Sequence, residues 1–181
     1  DRAQSLLGQS FAHNTDKIAP RHIQACIEGS LLEIYLGDPH RALSLGEEAL
    51  ALSSKLSAYK AAAHKNIGHA MFSLGRMEEA QEHFTAAESL YRQLDQAHFA
   101  TETLAGLAMI ALARQDQKEA LSSIERIIQT INEKPLFGPD RPLWLYLTAY
   151  RVLSLAEDGR AFKIIEIAYT LIQNRSATIS E

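Results

Sequence analysis

The sequence contains few of the residues that interrupt regular secondary structure or cross-link a chain. Its 181 residues include nine glycines, five prolines and one cysteine, Cys26. Sparse glycine and proline argue against a many-turned β-sandwich and favour long helices. One cysteine excludes an internal disulfide framework and fits a reducing compartment, and its apolar neighbours predict a buried thiol. We therefore expect a helical, cytoplasmic protein.

The chain also lacks the concentrations of charge and apolar residues that bind nucleic acids or enter membranes. The net charge is −4 and no run of five like charges occurs, so no basic surface is predicted. No stretch approaches the ~18 consecutive apolar residues of a membrane span, and no signal-peptide pattern is present. Neither nucleic acid nor membrane is expected as a partner. The chain opens at Asp1 without a methionine, and we interpret it as a fragment of a larger protein.

What the sequence does contain is an internal repeat. Four segments align without gaps around alanines that are 38, 40 and 41 residues apart. The position twelve before each alanine is always small, and the position eight before is always large and apolar. Spacings of three, four and seven mark one face of a helix, and a helix pair with one apolar stripe must stack on another pair. The alanines are Ala42, Ala80, Ala120 and Ala161; the small residues are Ser30, Gly68, Ala108 and Ala149.

The repeat predicts a single domain over residues 1–181 made of helix pairs. The helices are expected at 20–36 with 39–56, 59–75 with 77–94, 97–114 with 117–132, and 142–157 with 160–176. The corresponding repeats are 19–57, 58–95, 96–134 and 141–179. Residues 1–18 are either a partial repeat, with Ala3 at the alanine position, or a capping helix. A partial repeat would expose an apolar edge, and self-association through the N-terminal edge would follow.

Four residues of the second repeat carry a resemblance to a known family. Gly68, Ala80, Phe84 and Ala87 match the tetratricopeptide (TPR) consensus, whereas Gly46 stands where the first repeat would usually have phenylalanine. The resemblance implies an all-α fold, a right-handed α-α superhelix of helix–turn–helix repeats. The period exceeds the ordinary ~34 residues, and such long repeats resemble those of bacterial MalT-type activators and signalling ATPases. This implies a scaffold or sensor within a larger signalling or transcription regulator, with a protein or peptide partner.

The same resemblance implies that the first helix of each pair lines a shared groove. The aromatic and charged exceptions among the mostly aliphatic groove positions are the expected contacts. Lys65 and Glu102 could orient a peptide or pair with each other. Tyr146 and Tyr150 are one helical turn apart and either face the groove or pack in the core. The expected partner-binding residues are Lys65, His69, Glu102, Met109, Tyr146 and Tyr150.

No motif predicts catalysis, a cofactor or a metal. The sequence has no phosphate-binding loop, nucleophile elbow, His-Glu-x-x-His pair or Cys-x-x-Cys pair, so we expect no enzyme activity. His64 and His69 are five residues apart, which directs them to different helix faces. Two alternatives stay open beside the scaffold: a receptor that holds a sugar or metabolite in the groove, and an RNA-binding repeat, which the negative charge disfavours.

Overall fold

The computed structural model describes residues 20–53, 55–133 and 140–179, and within these ranges the chain is α-helical with no β-strand. This confirms the all-α repeat fold. No helix among the described residues is both long and apolar enough to cross a membrane. The helices are α1 (20–36), α2 (Pro39–Leu52), α3 (Ser57–Ser73), α4 (Met77–Gln93), α5 (Ala97–Ala113), α6 (Gln117–Glu133), α7 (Pro142–Leu155) and α8 (Arg160–Ile179).

Consecutive helices form pairs, and the small residues of the repeat lie where the helices of a pair meet. Ser30 of α1 is fully buried and donates a hydrogen bond of 2.7 Å to the carbonyl of Ala42 in α2. A Cβ on Gly68 of α3 would lie 2.8 Å from the ring of Phe84 in α4. The repeat alanines are buried in all four pairs: Ala42, Ala80, Ala120 and Ala161.

Gly46 departs from the expected phenylalanine for a steric reason that the structure supplies. A Cβ at this position of α2 would come within 2.8 Å of Ile67 Cγ1 on α3. Ile67 is itself fully buried. The isoleucine of the next helix therefore occupies the space that a larger side chain at position 46 would need.

Within the described residues, five helices end in the same way, with one residue in the left-handed conformation. At the end of α3, Gly75 has φ 76°, its N–H donates to Phe72, and the N–H of Arg76 donates to Met71. These two bonds define the Schellman motif, which satisfies carbonyls at a helix end. The five left-handed residues are Gly37, Gly75, Asp95, Gln115 and Glu157.

The predicted helix limits agree with the structure within a few residues, and the largest difference is at α2. This helix ends at Leu52, four residues before the predicted end. The N–H and the hydroxyl of Ser53 both bond to the carbonyl of Leu50, which caps the helix, and the N–H of Leu56 then bonds to Ser53. A local hydrogen-bonded turn thus replaces the last predicted helical turn.

The chain divides into two compact units, residues 1–90 and 91–181, and the boundary falls within α4. In the first unit, a core cluster joins Ile23, Cys26 and Ile27 of α1 to Ala49 of α2 and Ala63 of α3. In the second unit, a larger cluster joins α5, α6, α7 and α8. The partial repeat or capping helix predicted at 1–18 lies outside the described residues.

Candidate binding surface and polar clusters

The six expected partner-binding residues lie on α3, α5 and α7, as the repeat register requires, but they differ in accessibility. Lys65, His69 and Glu102 are buried, and Met109 is half-buried. Tyr146 is 6% exposed and Tyr150 is 39% exposed. Tyr150 is therefore the member of the set with the most surface available to a partner.

The two members on α3 belong to the interior of the first unit. The His69 ring meets the Phe84 ring edge-on, with centroids 5.0 Å apart. Asn66, which follows Lys65 in the sequence, is also buried, and its Nδ2 donates a 2.9 Å hydrogen bond to the Ile27 carbonyl of α1. This face of α3 is thus polar but enclosed, because α1 and α4 both supply contacts to it.

Glu102 holds the start of α7 in the second unit. Its Oε2 accepts a hydrogen bond of 3.1 Å from the backbone N–H of Asp140, just before α7 begins. A fully buried carboxylate needs such donors, because an uncompensated buried charge is costly. The contact gives Glu102 a structural role in joining α5 to the segment before α7.

The buried tyrosine of α7, Tyr146, borders an open depression. Tyr146 lies in the core cluster of the second unit, and burial raises the pKa of its hydroxyl. The adjacent α8 supplies polar and apolar residues to an open depression of about 410 Å³ that Tyr146 also borders. The depression is lined by Tyr146, Lys163, Glu166, Ile167, Thr170, Leu171 and Asn174.

An apolar stripe on α8 is exposed, and we call Phe162, Tyr169 and Ile172 the α8 stripe. Their spacings of seven and three residues place them on one face of the helix. Phe162 is 73% exposed and the other two are also exposed. On α6 the same repeat positions hold Leu121, Ile128 and Ile131, which pack against the cluster that contains α7 residues. The α8 stripe therefore matches in position an α6 stripe that packs against a core cluster.

Two histidines from different helices form a close pair in the first unit. The Nδ1 atoms of His64 on α3 and His83 on α4 are 3.0 Å apart. Burial, the His83 ring and Lys60 lower the pKa of His64 to about 4, and burial lowers the pKa of His83. Both rings are therefore neutral at pH 7. His64 and His69 are close in sequence, but the structure pairs each of them with a residue of α4 instead.

Three potential metal ligands meet between α1 and α2. His22 and Cys26 are one turn apart on α1, and Glu48 lies on α2. His22 Nε2 is 2.7 Å from Glu48 Oε1 and 3.8 Å from Cys26 Sγ, and the three ligand atoms lie within 4.8 Å of one another. Burial, and then the Glu48 carboxylate, raise the pKa of the Cys26 thiol. Among the described residues, His22, Cys26 and Glu48 are the group of three potential metal ligands that lie this close together.

The sequence motifs predicted no metal ligands, and the apolar neighbours of Cys26 predicted only a buried thiol. The four-residue spacing between His22 and Cys26 was a usable signal, because it places both side chains on one helix face. Glu48 is 22 residues further along and on another helix, so no local spacing connects it to the pair.

The chain matches no protein-family model and no curated protein sequence at a significant level. Among solved structures, it is similar to BtubC (BKLC) from P. vanneervenii, with a TM-score of 0.61 and 18% sequence identity. The similarity covers 84% of this chain, and this chain spans about 62% of the length of the BtubC chain. At this identity the similarity shows a shared helical fold and nothing about function.

Proposed function

We propose that this chain is a TPR-type repeat that binds a protein or peptide partner within a larger bacterial signalling or transcription regulator. Three features support this proposal: the consecutive helix pairs, the small residues between their helices, and the match of the second repeat to the TPR consensus. Stacked repeats present extended surfaces to partners, which is their usual role.

The observation that carries the proposal is the exposed α8 stripe. Large exposed apolar patches on folded proteins mark surfaces that bind something. The equivalent residues of α6 pack against a core cluster that includes α7 residues, so the α8 stripe has the side chains and spacing to receive a helix pair of the same kind. We infer a helical partner surface there, supplied by another repeat or by a partner protein.

Tyr150 provides a second contact point on the first-helix face of the same repeat. Its ring is exposed, and tyrosine is enriched where binding energy concentrates. Lys65, His69 and Glu102 are buried, so in this proposal they position the helices of the repeat, while Tyr150 and the α8 stripe contact the partner.

Partner capture with matched variants tests the proposal. The immobilised chain, a Tyr150→Ala variant and a Phe162→Ser/Tyr169→Ser variant would be incubated with bacterial extract, and the retained proteins identified and then purified. Tyr35→Ala is the control, because Tyr35 is an exposed tyrosine on α1 in the other unit. We expect the purified partner to bind the parent chain and the control about equally, and to bind at least one of the two test variants about tenfold more weakly, a loss of about 1.4 kcal/mol.

Thermal melting of each variant separates lost binding from lost folding. Tyr150, Phe162 and Tyr169 are exposed, so their variants should melt close to the parent chain. If every retained protein binds all variants equally, the proposed surface is wrong.

The depression beside Tyr146 supports a second candidate, a small-molecule receptor. Its lining combines Lys163 and Glu166 with an aromatic ring, a combination suited to a sugar or metabolite. A ligand that binds only the folded chain raises its melting temperature. A shift with a sugar or metabolite that disappears in Lys163→Ala would favour this candidate over a protein partner.

A further inference from the structure

We propose that His22, Cys26 and Glu48 form a binding site for a divalent transition-metal ion of the zinc type. The proposal is independent of the partner-binding function, because the cluster lies between α1 and α2. Neither the α8 stripe nor Tyr150 contributes to it.

The distances fit a small tetrahedral ion after a modest adjustment. Typical Zn–N and Zn–S bond lengths in a tetrahedral site place the nitrogen and sulfur ligands about 3.6 Å apart. The His22 Nε2 to Cys26 Sγ distance of 3.8 Å is close to this value. The same geometry requires about 3.4 Å between nitrogen and oxygen ligands, so the 2.7 Å hydrogen bond from His22 to Glu48 would open as the ion replaces the shared proton.

The ligand types favour zinc over the harder cations. Thiolate and imidazole are preferred by zinc and its neighbours in the first transition series, whereas magnesium and calcium prefer oxygen ligands. A Cys, His and Glu set supplies two negative charges once the thiol loses its proton, which neutralises a divalent cation. Three protein ligands leave a fourth tetrahedral position for water or for a ligand from another molecule.

The surroundings allow a cation to enter and hold part of the site in place. The side chains of His22 and Glu48 are about half exposed, at 52% and 49%, whereas Cys26 is buried. The α1 backbone fixes the spacing of two ligands, and the packing of α1 on α2 brings up the third. A bound ion would therefore join the two helices of the first pair.

Cobalt and zinc titrations of the full chain test the proposal. Co²⁺ bound by a thiolate gives a charge-transfer absorption band that oxygen and nitrogen ligands do not produce. We expect this band at one equivalent of Co²⁺, its displacement by Zn²⁺, and its loss in Cys26→Ser. In His22→Gln and in Glu48→Gln we expect zinc affinity to fall by a factor of roughly 10 to 100 or more. Loss of an outer-shell partner alone costs about that factor, and these residues would contact the ion directly.

His40→Gln is the matched control, since His40 is an exposed histidine on α2. Its zinc affinity should equal that of the parent chain. The replaced side chains of His22 and Glu48 are about half exposed, so these variants should fold, and far-UV circular dichroism verifies it. Absence of the thiolate band in the parent chain, or zinc binding that survives all three ligand substitutions, overturns the proposal.

Discussion

At the scale of single residues, Gly68 shows how closely α3 approaches α4. The missing side chain leaves room for the Phe84 ring, whose Cδ1 and Cε1 would both lie 2.8 Å from an added Cβ. Phe84 is fully buried, so its ring has little space to move away. The close contact therefore depends on the absence of one methyl group.

We expect Gly68→Ala to lower the free energy of unfolding by about 1–2 kcal/mol. Overpacking a buried contact costs about 1–3 kcal/mol, and the better helix propensity of alanine returns at most about 1 kcal/mol. Urea denaturation measures the difference. Gly159→Ala is the control, because nothing lies within 4 Å of its added Cβ. An unchanged or raised stability in Gly68→Ala would show that Phe84 adjusts without cost.

The His64–His83 pair predicts a loss of stability in mild acid. The folded chain lowers the pKa of His64 from 6.5 to about 4, so the unfolded chain binds the proton first as the pH falls. The free energy of unfolding should therefore decrease from about pH 6.5 down to about pH 4 and then level off. The charged groups that influence the pair are Lys60, Arg76, Glu47, Glu79 and Glu82.

We expect this contribution to be about 1–2 kcal/mol, since both rings are only part-buried and solvent screens their charge. The measurement is urea denaturation at several pH values for the parent chain and for His64→Gln. Carboxylates elsewhere titrate equally in both proteins and cancel in the comparison. Parallel pH profiles for the two proteins would contradict the assigned role of His64.

At the scale of elements, the helix ends share a backbone conformation but not a residue type. The left-handed position is glycine after α1 and α3, whereas Asp95, Gln115 and Glu157 occupy it after α4, α5 and α7. A left-handed conformation costs a residue with a side chain about 1–2 kcal/mol. The Schellman hydrogen bonds at these helix ends hold the residues in place despite that cost.

We expect Gln115→Gly to raise the free energy of unfolding by about 0.5–1 kcal/mol. Relief of the left-handed strain exceeds the entropy that glycine adds to the unfolded chain, about 0.4–1 kcal/mol. Thermal melting and urea denaturation measure the gain. Gln129→Gly in the interior of α6 is the control and should lose about 1 kcal/mol. A loss at both positions would mean that Gln115 makes contacts worth more than its strain.

At the scale of the whole molecule, the repeat pattern predicted the fold and most helix limits. The pattern was sufficient because a pair of helices imposes the same demands each time: a small residue twelve before the alanine and apolar residues at helical spacing. Ser30 and Gly68 could be placed at helix contacts from this register alone, and both are buried. The early end of α2 was missed because Ser53 caps the helix by a local hydrogen bond that periodicity does not encode.

The candidate site was less predictable than the fold. The register placed Tyr150 and Lys65 on first helices, but burial depends on what neighbouring helices bring against each position. Tyr150 is exposed and Lys65 is enclosed, although both occupy groove positions of the repeat. The His22, Cys26 and Glu48 cluster depends on which residues of α1 and α2 lie next to each other. The sequence pattern predicts that the two helices pair, but it does not predict that Glu48 lies beside His22 and Cys26.

The small residues between paired helices have a consequence for how the chain tolerates mutation. Ala42, Ala80 and Ala120 have no exposed surface, and Gly46 and Gly68 lack room for one more carbon. A core built from leucine is damaged mainly by truncation, which leaves cavities. Here nearly every substitution at the contact adds volume, so the damage is steric compression. In a saturation mutagenesis screen, the cost of apolar substitutions at these positions should rise with side-chain size, and polar substitutions should add a desolvation cost to it.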